Sequence, residues 1–319
     1  SDLYRIGLSI DQFEVNEDIA DQELRSRRQT IIRDVKQAYY NILKAQNELT
    51  STEASISFYR ELDQLVDRYY QEQTVLKYET MEVKSRLARA EHDAFTERNR
   101  LATEREKLNK LLGREVATAF SVAPVGIDQL AVPSLAEAES AAIEQRPEVN
   151  TSRLKLKHAQ YSYRIKKSEY IPHIDLQYRY TRLYNTDFIP DKESAIGLTA
   201  RWEFYDWGRK SQDLSKKSLA IQQARNEIEE AESQVIIEVN RRMRDLEDAR
   251  NLVSVTSITQ AAQQEKLRVL MNQYRQQTVL LDDVLKAERE LTFANTEHNN
   301  AQLSVWTAQS ELQKAMGEE

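Results

Sequence analysis

Polar and apolar side chains alternate without interruption in His173-Ile174-Asp175-Leu176-Gln177-Tyr178-Arg179-Tyr180. Residues 4–10 and 196–204 alternate in the same way. A period of two residues predicts a β-strand with one apolar face. With its flanking residues, each stretch is about 9–11 residues long, the length that a tilted strand needs to cross a bilayer. The sequence therefore predicts three strands, with residues 185–193 as the loop between the last two.

The polar face of these strands carries charged side chains, and aromatic residues lie near the strand ends. Strands of transmembrane barrels show the same combination. The alternative is a soluble sheet whose polar face is solvated. We predict that a water-filled barrel lumen is lined by Asp175, Gln177, Arg179, Arg201 and Glu203.

The rest of the chain is predicted to be helical, because only 6 Gly and 5 Pro interrupt its 319 residues. Pro147 fits the first position of a helix, and Gly113 fits a C-terminal cap. Residues 114–133 are expected to be irregular. The predicted helices cover residues 17–72, 78–112, 135–145, 147–171, 208–276 and 282–316.

The chain contains an internal repeat with an offset of 204 residues. Gln73-Thr74-Val75-Leu76 recurs as Gln277-Thr278-Val279-Leu280, and no gap is needed between residues 32 and 115. This pattern indicates the duplication of a unit made of strands and a helical hairpin. Further pairs with the same offset are Tyr70 and Tyr274, Leu108 and Leu312, and Gly113 and Gly317.

The repeat divides the chain into six predicted segments, three in each half. The first half has a strand of bilayer length, a helical hairpin, and an equatorial linker with a short helix. The second half has a helix, a β-hairpin of bilayer length and a second helical hairpin. In chain order these segments are residues 1–14, 15–113, 114–146, 147–171, 172–206 and 207–319.

Composition excludes several classes of function. The net charge of −7 and the lack of a basic stripe argue against a nucleic-acid partner. No cysteine is present, and the four histidines have no spacing typical of metal ligands, so we expect no metal site and no cofactor. No motif of an enzyme is recognisable, and we expect no catalytic residues.

Three bilayer-length strands are too few to close a barrel, because open edges in lipid leave backbone groups unpaired. The smallest transmembrane barrels have about 8 strands, so several copies must combine. A duplicated two-strand unit would give four strands per chain, and three chains would give twelve. The first-half counterpart of residues 174–183 would precede Ser1, and we expect that it belongs to a part of the protein that lies before this sequence.

Four motifs resemble the TolC family of outer-membrane efflux proteins in their order and spacing. Arg146-Pro147-Glu148-Val149 is similar to the run that opens a helix in each half of the family's fold. Tyr170-Ile171-Pro172 resembles its helix-to-strand entry, and residues 202–209 resemble its strand-to-helix exit, which is usually aromatic-Asp-Gly-Gly-Arg. Asp283-Val284-Leu285 with Ala287 resembles the segment after the periplasmic tip.

The resemblance implies a mostly α fold with a small β part. Long antiparallel helical hairpins would form an α-barrel tunnel, and the strands would contribute to a trimeric transmembrane β-barrel. It also implies a passive exit duct of a tripartite efflux or type I secretion system. The implied partners are two further copies of the chain, a periplasmic adaptor protein, an inner-membrane pump and the lipid of the outer membrane.

The two copies of the repeated tetrapeptide interrupt the helical pattern and are predicted to be periplasmic tips. The family often has Gly in this turn, where this chain has Gln73 and Gln277. The alternative is an ordinary turn that packs on its own hairpin. We predict that the tips dock an adaptor through Thr74, Val75, Leu76, Thr278, Val279 and Leu280.

The periplasmic entrance is predicted just after the second tip, at Asp282, Asp283 and Lys286. In a trimer, Asp283 would form a ring of three carboxylates, which binds cations and repels anions. The family often has a second acid where this chain has Lys286, so an Asp283–Lys286 surface ion pair is the alternative.

A soluble periplasmic coiled-coil scaffold without channel activity is the competing interpretation. It explains the long helices but not three alternating stretches of bilayer length. The membrane fraction distinguishes the two, because a channel needs detergent and runs as a heat-sensitive trimer.

Overall fold

The computed structural model describes residues 2–123, 133–182 and 192–318. Within these ranges the chain forms six helices and two strands, and no helix carries a stretch apolar enough to span a bilayer. The elements are α1 (Asp2–Gln71), α2 (Lys77–Leu111), α3 (Leu135–Gln145), α4 (Pro147–Ser168), β1 (His173–Arg182), β2 (Lys192–Arg201), α5 (Arg209–Arg275) and α6 (Leu281–Met316).

The strand predicted within residues 1–14 is wrong, because α1 already begins at Asp2. Leu8 and Val15, seven residues apart, are both buried, as two successive turns of one helical face require. Gln12 lies between them on the same side, and its amide nitrogen is 3.0 Å from His158 Nε2 and 2.7 Å from Ser162 Oγ in α4. These contacts fix the segment as a helix that packs against α4.

The alternating pattern of residues 4–10 was misleading because a second pattern overlaps it. Leu3, Ile6, Ile10 and Phe13 recur at intervals of three and four residues, which is a helical stripe. A helix satisfies its backbone hydrogen bonds internally, whereas an isolated strand needs a neighbour. No Pro lies between this segment and the long helical region that follows, so the helix continues without a break.

The other two alternating stretches do form strands. β1 and β2 pair as an antiparallel hairpin in which His173 lies opposite Arg201 and Asp175 opposite Thr199. Residues opposite each other in such a pair point to the same face. Leu176 lies opposite Leu198, so the apolar side chains share the other face, as the alternation predicted.

The bounds of β2 differ from the sequence prediction at both ends. β2 begins at Lys192, so the last two residues of the predicted loop 185–193 are in the strand, and its residues 185–191 lie outside the described ranges. β2 ends at Arg201, so Trp202 and Phe204 lie beyond it although they continue the alternation. Their rings, 6.3 Å apart, pack on each other after the strand has ended.

Asp206 forms the turn between β2 and α5. Its carboxylate accepts hydrogen bonds from the backbone N–H of Gly208 at 3.2 Å and of Lys210 at 2.7 Å. Gly208 directly precedes α5, and Lys210 lies in its first turn, where backbone N–H groups have no acceptor within the helix. Trp207 has a φ of 58° and Gly208 a φ of 81°, so the chain passes through two left-handed residues. Trp207 thus adopts a left-handed backbone conformation that favours glycine.

The chain divides into two compact units. The first comprises residues 1–27 and 143–236, and it contains the beginning of α1, α4, the β-hairpin and the first part of α5. In this unit Arg153 of α4 pairs with Glu232 of α5 at 2.8 Å.

The second unit comprises residues 28–142 and 237–319 and holds the larger apolar core. Side chains from α1, α2, α5 and α6 meet in one cluster, in which Leu62, Val66, Val83 and Val284 are fully buried. A second cluster joins Ile42 of α1 to α2. The helical hairpins α1–α2 and α5–α6 therefore pack together in this unit.

Candidate functional site

The first helical tip connects α1 to α2. The backbone N–H of Thr74 donates to Tyr69 O at 2.9 Å, and that of Gln73 donates to Tyr70 O at 3.0 Å. This pair of bonds is a Schellman motif, with Gln73 in the left-handed position that closes α1. The Thr74 hydroxyl adds a third bond to Tyr69 O at 3.0 Å.

The second tip connects α5 to α6 and repeats this geometry. The backbone N–H of Thr278 donates to Gln273 O at 3.0 Å, and that of Gln277 donates to Tyr274 O at 2.9 Å. The Thr278 hydroxyl also donates to Gln273 O at 3.0 Å. The repeated tetrapeptide therefore folds in the same way in both halves of the chain.

The predicted docking residues point in different directions at each tip. Leu76 and Leu280 are 65% and 74% exposed. Val75 and Val279 are partly buried and pack against the core cluster of the second unit. Each tip thus presents one Leu outward and uses its Val to attach the turn to the hairpin.

Contacts between α1 and α5 hold the two tips beside each other. The Tyr69 hydroxyl donates to Arg275 O at 2.9 Å, and the rings of Tyr69 and Tyr274 lie 6.0 Å apart. Burial, followed by the charge of Glu79, raises the pKa of the Tyr274 hydroxyl above its usual value. The exposed Leu76 and Leu280 are consequently parts of one continuous end of the second unit.

The predicted entrance residues Asp282, Asp283 and Lys286 are all exposed in the first turns of α6. The Asp283 carboxylate accepts a hydrogen bond from Leu280 N at 3.3 Å and so caps α6. Glu79 caps α2 in the same way, through Leu76 N at 3.2 Å. Among the described residues no ion pair joins Asp283 to Lys286, so the first role of Asp283 in a single chain is the cap.

Sequence reasoning missed a buried polar network between α1 and α6. Glu288 is only 4% exposed, and its carboxylate accepts hydrogen bonds from the Tyr59 hydroxyl and, at 3.0 Å, from Thr292 Oγ1. Thr292 Oγ1 also lies 3.0 Å from Ser55 Oγ. Burial first, and Glu288 second, raise the pKa of the Tyr59 hydroxyl above its usual value. The only sequence signal was a Glu on the apolar side of α6.

Four of the five predicted lumen residues share one face of the β-hairpin. Asp175, Gln177 and Arg179 alternate along β1, and Arg201 lies on the same face at the end of β2. The Arg201 guanidinium pairs with Asp175 at 3.2 Å.

Glu203, the fifth predicted lumen residue, lies beyond the end of β2 and belongs to the turn into α5. Its carboxylate pairs with Lys210 at 3.1 Å and with Arg209 at 3.2 Å, and its carbonyl accepts a bond from Lys210 Nζ at 2.8 Å. These bonds connect Glu203 to the first turn of α5, where the Lys210 side chain is almost fully buried. The placement of Glu203 in the strand is therefore wrong.

Solved structures with the same fold are outer-membrane proteins. VceC from Vibrio cholerae is 15% identical, with a TM-score of 0.84 over 98% of this chain and 76% of that chain. The CmeC outer membrane channel of Campylobacter jejuni is 15% identical, with a TM-score of 0.84 over 98% and 68%. The MtrE outer membrane channel of Neisseria gonorrhoeae is 17% identical, with a TM-score of 0.81 over 98% and 72%. At these identities the likeness establishes the fold.

A comparison of sequences places the chain in a family. No curated protein sequence matches it. The sequence profile described as outer membrane efflux protein matches residues 139–318, which is more than half of the chain and includes the second repeat. The first repeat is connected to that match by the offset of 204 residues and by the identical tips. The chain belongs to the outer membrane efflux protein family, and it is an outer-membrane protein of the efflux channel type that extends into the periplasm.

Proposed function

We propose that this chain is one subunit of a homotrimeric exit duct, a passive conduit from the periplasm to the exterior. The single observation that carries the proposal is the pair of identical tips, because both present an exposed Leu at the same end of one unit. A duplicated turn of this kind supports docking to a periplasmic adaptor and an inner-membrane pump. The family is one of channels rather than enzymes, and the proposal includes no catalytic step.

The β-hairpin supports the trimeric part of the proposal. Within the described residues the sheet consists of β1 and β2 alone, so each strand has one edge without a neighbouring strand. Each strand is 10 residues long, enough to cross a bilayer with tilt. In lipid an open edge costs several kcal/mol per unpaired backbone group, so neighbouring copies must complete a barrel. Its lumen would be lined by the polar face that Asp175 and Arg201 share.

The adaptor would dock through the outward side chains of the tips. Leu76 and Leu280 supply the apolar surface, and Thr74 and Thr278 flank it with hydroxyl groups that are already bonded to the helix ends. Val75 and Val279 would hold each turn against the core cluster of the second unit. The double substitution Leu76→Ser/Leu280→Ser should weaken adaptor binding, while Leu219→Ser, at a similarly exposed leucine near the other end of α5, should leave adaptor binding unchanged.

The entrance would be controlled by Asp283. In a trimer three copies of this exposed carboxylate would face the axis, where they bind cations in a narrow neck. Opening would follow from movement of the tips when adaptor and pump bind, since helix shifts at an interface are a common form of gating. The hydrogen bond from Leu280 N to Asp283 lies at the second tip, and a movement of that tip would release it.

Conductance in planar bilayers tests the proposal directly. The full-length protein should form cation-selective pores, and Asp283→Ala should reduce the cation selectivity, whereas Glu79→Ala should leave it unchanged. The two variants are matched, because both carboxylates cap the first turn of a helix. Unchanged selectivity in Asp283→Ala would show that Asp283 does not select ions at the entrance, and it would not contradict the proposed channel.

The competing function is a periplasmic scaffold without channel activity. Fractionation distinguishes the two, because an exit duct must be extracted by detergent and must run as a trimer that dissociates on heating. Recovery of a monomer from the aqueous periplasmic fraction would contradict the exit duct.

A further inference from the structure

A cavity of about 620 Å³, here called the basic cavity, lies where α4 ends and the chain turns toward β1. Pockets that hold a small molecule have volumes of about 300–1,000 Å³. The lining combines two bases, two tyrosines and two aliphatic side chains, which are Arg164, Lys167, Tyr4, Tyr170, Ile171 and Leu214. Among the described residues, no acidic side chain lines it. The basic cavity therefore joins a net positive charge to aromatic and aliphatic surface.

The two bases of this cavity have no carboxylate partner in the described part of the chain. Arg164 and Lys167 are three residues apart on α4, so both lie on the same face of that helix. Both side chains are exposed, and the Arg164 guanidinium lies 5.7 Å from the centre of the Tyr161 ring. Two cationic groups on one helical face are thus available to an anion.

The acidic side chains close to the basic cavity are already paired with other bases. Lys166 Nζ lies 3.0 Å from the Glu169 carboxylate and 2.8 Å from that of Asp213. A neighbouring cavity of about 590 Å³ has bases and acids together in its lining, and Lys210 there pairs with Glu203 at 3.1 Å. Of these two cavities, only the basic cavity keeps a positive charge that no acid neutralises.

Exposed aromatic side chains place the basic cavity at the level of the membrane surface in the proposed trimer. β1 begins at His173, which lies opposite Arg201 at the end of β2. The residues before β1 and after β2 are therefore at the same end of the hairpin, where Trp202, Phe204 and Trp207 are strongly exposed. Girdles of aromatic residues mark both edges of a transmembrane barrel. This end continues into α4 and α5, so it is the periplasmic edge.

We propose that the basic cavity binds the phosphate of an anionic phospholipid in the periplasmic leaflet of the outer membrane. This inference rests on the proposed function, because it requires the β-hairpin to lie in the bilayer. Arg164 donates to two phosphate oxygens through its planar guanidinium, and Lys167 adds a second positive charge. Tyr170 lies at the level of the headgroup, where tyrosine is favoured. Ile171 and Leu214 contact the first carbons of an acyl chain.

The positive charge and the apolar wall together select this ligand. A zwitterionic headgroup brings a cation of its own, which the two bases repel, whereas the headgroup of phosphatidylglycerol carries only the phosphate charge. A free phosphate ion uses the two bases and leaves the tyrosines and the aliphatic side chains without a partner. A lipid uses both parts of the lining and also removes apolar surface from water.

Binding of phosphatidylglycerol to the full-length trimer in an uncharged detergent, counted by native mass spectrometry, tests the site. The wild type should hold one molecule tightly per subunit and should prefer it to phosphatidylcholine. Arg164→Gln/Lys167→Gln should lower the affinity for phosphatidylglycerol by about 25-fold, which is about fivefold for each base.

The matched control is Lys155→Gln/Lys157→Gln, which removes two exposed bases from the same helix. These lysines lie about 15 Å further from β1 along α4, so the affinity should be unchanged. Equal losses of affinity in the two double variants would overturn the proposal, because they would reflect the overall charge of α4. Equal affinities for phosphatidylglycerol and phosphatidylcholine would also overturn it.

Inorganic phosphate distinguishes a lipid site from a site for the free ion. At the same concentration as the lipid it should not displace phosphatidylglycerol, and displacement would overturn the assignment to a lipid. The temperature at which the trimer dissociates in detergent without lipid should be the same in Arg164→Gln/Lys167→Gln and in the wild type. A lower temperature in the variant would show that a neighbouring copy covers the cavity, and would overturn the proposal.

Failure of this inference and failure of the proposed function give different results. A heat-sensitive, conducting trimer that binds phosphatidylglycerol equally well with and without Arg164 and Lys167 overturns the lipid site and leaves the proposed function standing. A monomer recovered from the aqueous periplasmic fraction overturns both.

Discussion

Gln73 and Gln277, 204 positions apart, close their helices in the same left-handed conformation, with φ angles of 61° and 59°. The backbone N–H of each glutamine donates to the carbonyl three residues earlier. The backbone N–H of the Thr that follows donates to the carbonyl five residues before that Thr. The left-handed region is unfavourable for a residue with a Cβ, by about 1–2 kcal/mol. The same strain is therefore present at both tips, where the family often has Gly.

Replacement of either glutamine by glycine should stabilise the protein. We expect Gln73→Gly and Gln277→Gly each to raise the free energy of unfolding by about 0.5–1 kcal/mol, because the relief of strain exceeds the added entropy of the unfolded chain. The midpoint of urea unfolding, followed by circular dichroism, measures the change.

The matched control for these substitutions is Gln264→Gly, at an exposed position inside α5. There the same change should lower the stability by about 1 kcal/mol, since glycine is unfavourable in a helix interior. If all three variants were destabilised to the same degree, Gln73 and Gln277 would not be strained in their left-handed conformation.

Removal of the Tyr59 hydroxyl should destabilise the second unit. Tyr59→Phe leaves one oxygen of the buried Glu288 carboxylate without its donor, at a cost of about 1–3 kcal/mol. Tyr78→Phe, at an exposed tyrosine, should change the stability by less than about 0.5 kcal/mol. Urea unfolding of the three proteins at neutral pH gives the comparison.

Tyr59 should also make the stability depend on pH in the alkaline range. The folded chain holds the phenolic proton more tightly than the unfolded chain, whose tyrosine pKa is about 10. Below that pH both states are protonated and the contribution is complete. Above it the unfolded state loses the proton first, so the free energy of unfolding falls as the pH rises.

The measurement is the slope of stability against pH above about pH 10, in the wild type and in Tyr59→Phe. The variant should lose less stability per pH unit, although it is less stable at neutral pH. Tyr274, whose hydroxyl pKa is raised in the same direction, is present in both proteins and cancels in the comparison. Identical slopes in the two proteins would contradict the buried hydrogen bond between Tyr59 and Glu288.

The two apolar residues of each tip should respond differently to substitution. Val279→Ser should lower the stability by about 1–2 kcal/mol, because Val279 packs against the core cluster. Leu280→Ser should change the stability by less than about 0.5 kcal/mol, because its side chain is 74% exposed. Unfolding curves of the two variants check the assignment, and the opposite order would show that Leu280, not Val279, attaches the turn.

Lys210 should be necessary for the turn between β2 and α5. Lys210→Met keeps most of the buried alkyl chain but leaves the Glu203 carbonyl without its donor and the Glu203 carboxylate with Arg209 as its remaining partner, so we expect a loss of about 1–3 kcal/mol. Lys216→Met, at an exposed position on the same helix, is the control and should have little effect. Hydrogen exchange at residues 202–210 locates the change, and unaltered exchange there would contradict the role of Lys210.

Periodicity was sufficient for the long helices and for the hairpin, but it failed at the start of α1. Residues 4–10 alternate as well as β1 does, and both segments contain apolar residues at every second position. The difference lies in their surroundings, because β1 has β2 as a partner for its backbone, whereas Gln12 and Leu8 have α4 beside them. A local pattern contains no information about which neighbour is present.

In the candidate site, too, some features followed from the sequence pattern and others did not. The repeated tetrapeptide predicted two equivalent tips, and the tips are equivalent down to the left-handed glutamines. The direction of Val279 into the core and Leu280 outward could not be predicted, because both are apolar and adjacent in a turn without periodicity. The partners of Glu203 and Glu288 come from residues that no local pattern connects to them.

Spacing along the chain was enough to predict the helix-rich class, the hairpin with its two faces, and the duplication. The folded chain was needed to show that residues 2–14 are helical, that Glu288 is buried beside Tyr59, and that Val279 packs into the core while Leu280 is exposed. Burial and hydrogen bonding depend on which distant segments meet, and no single segment of the sequence carries that information.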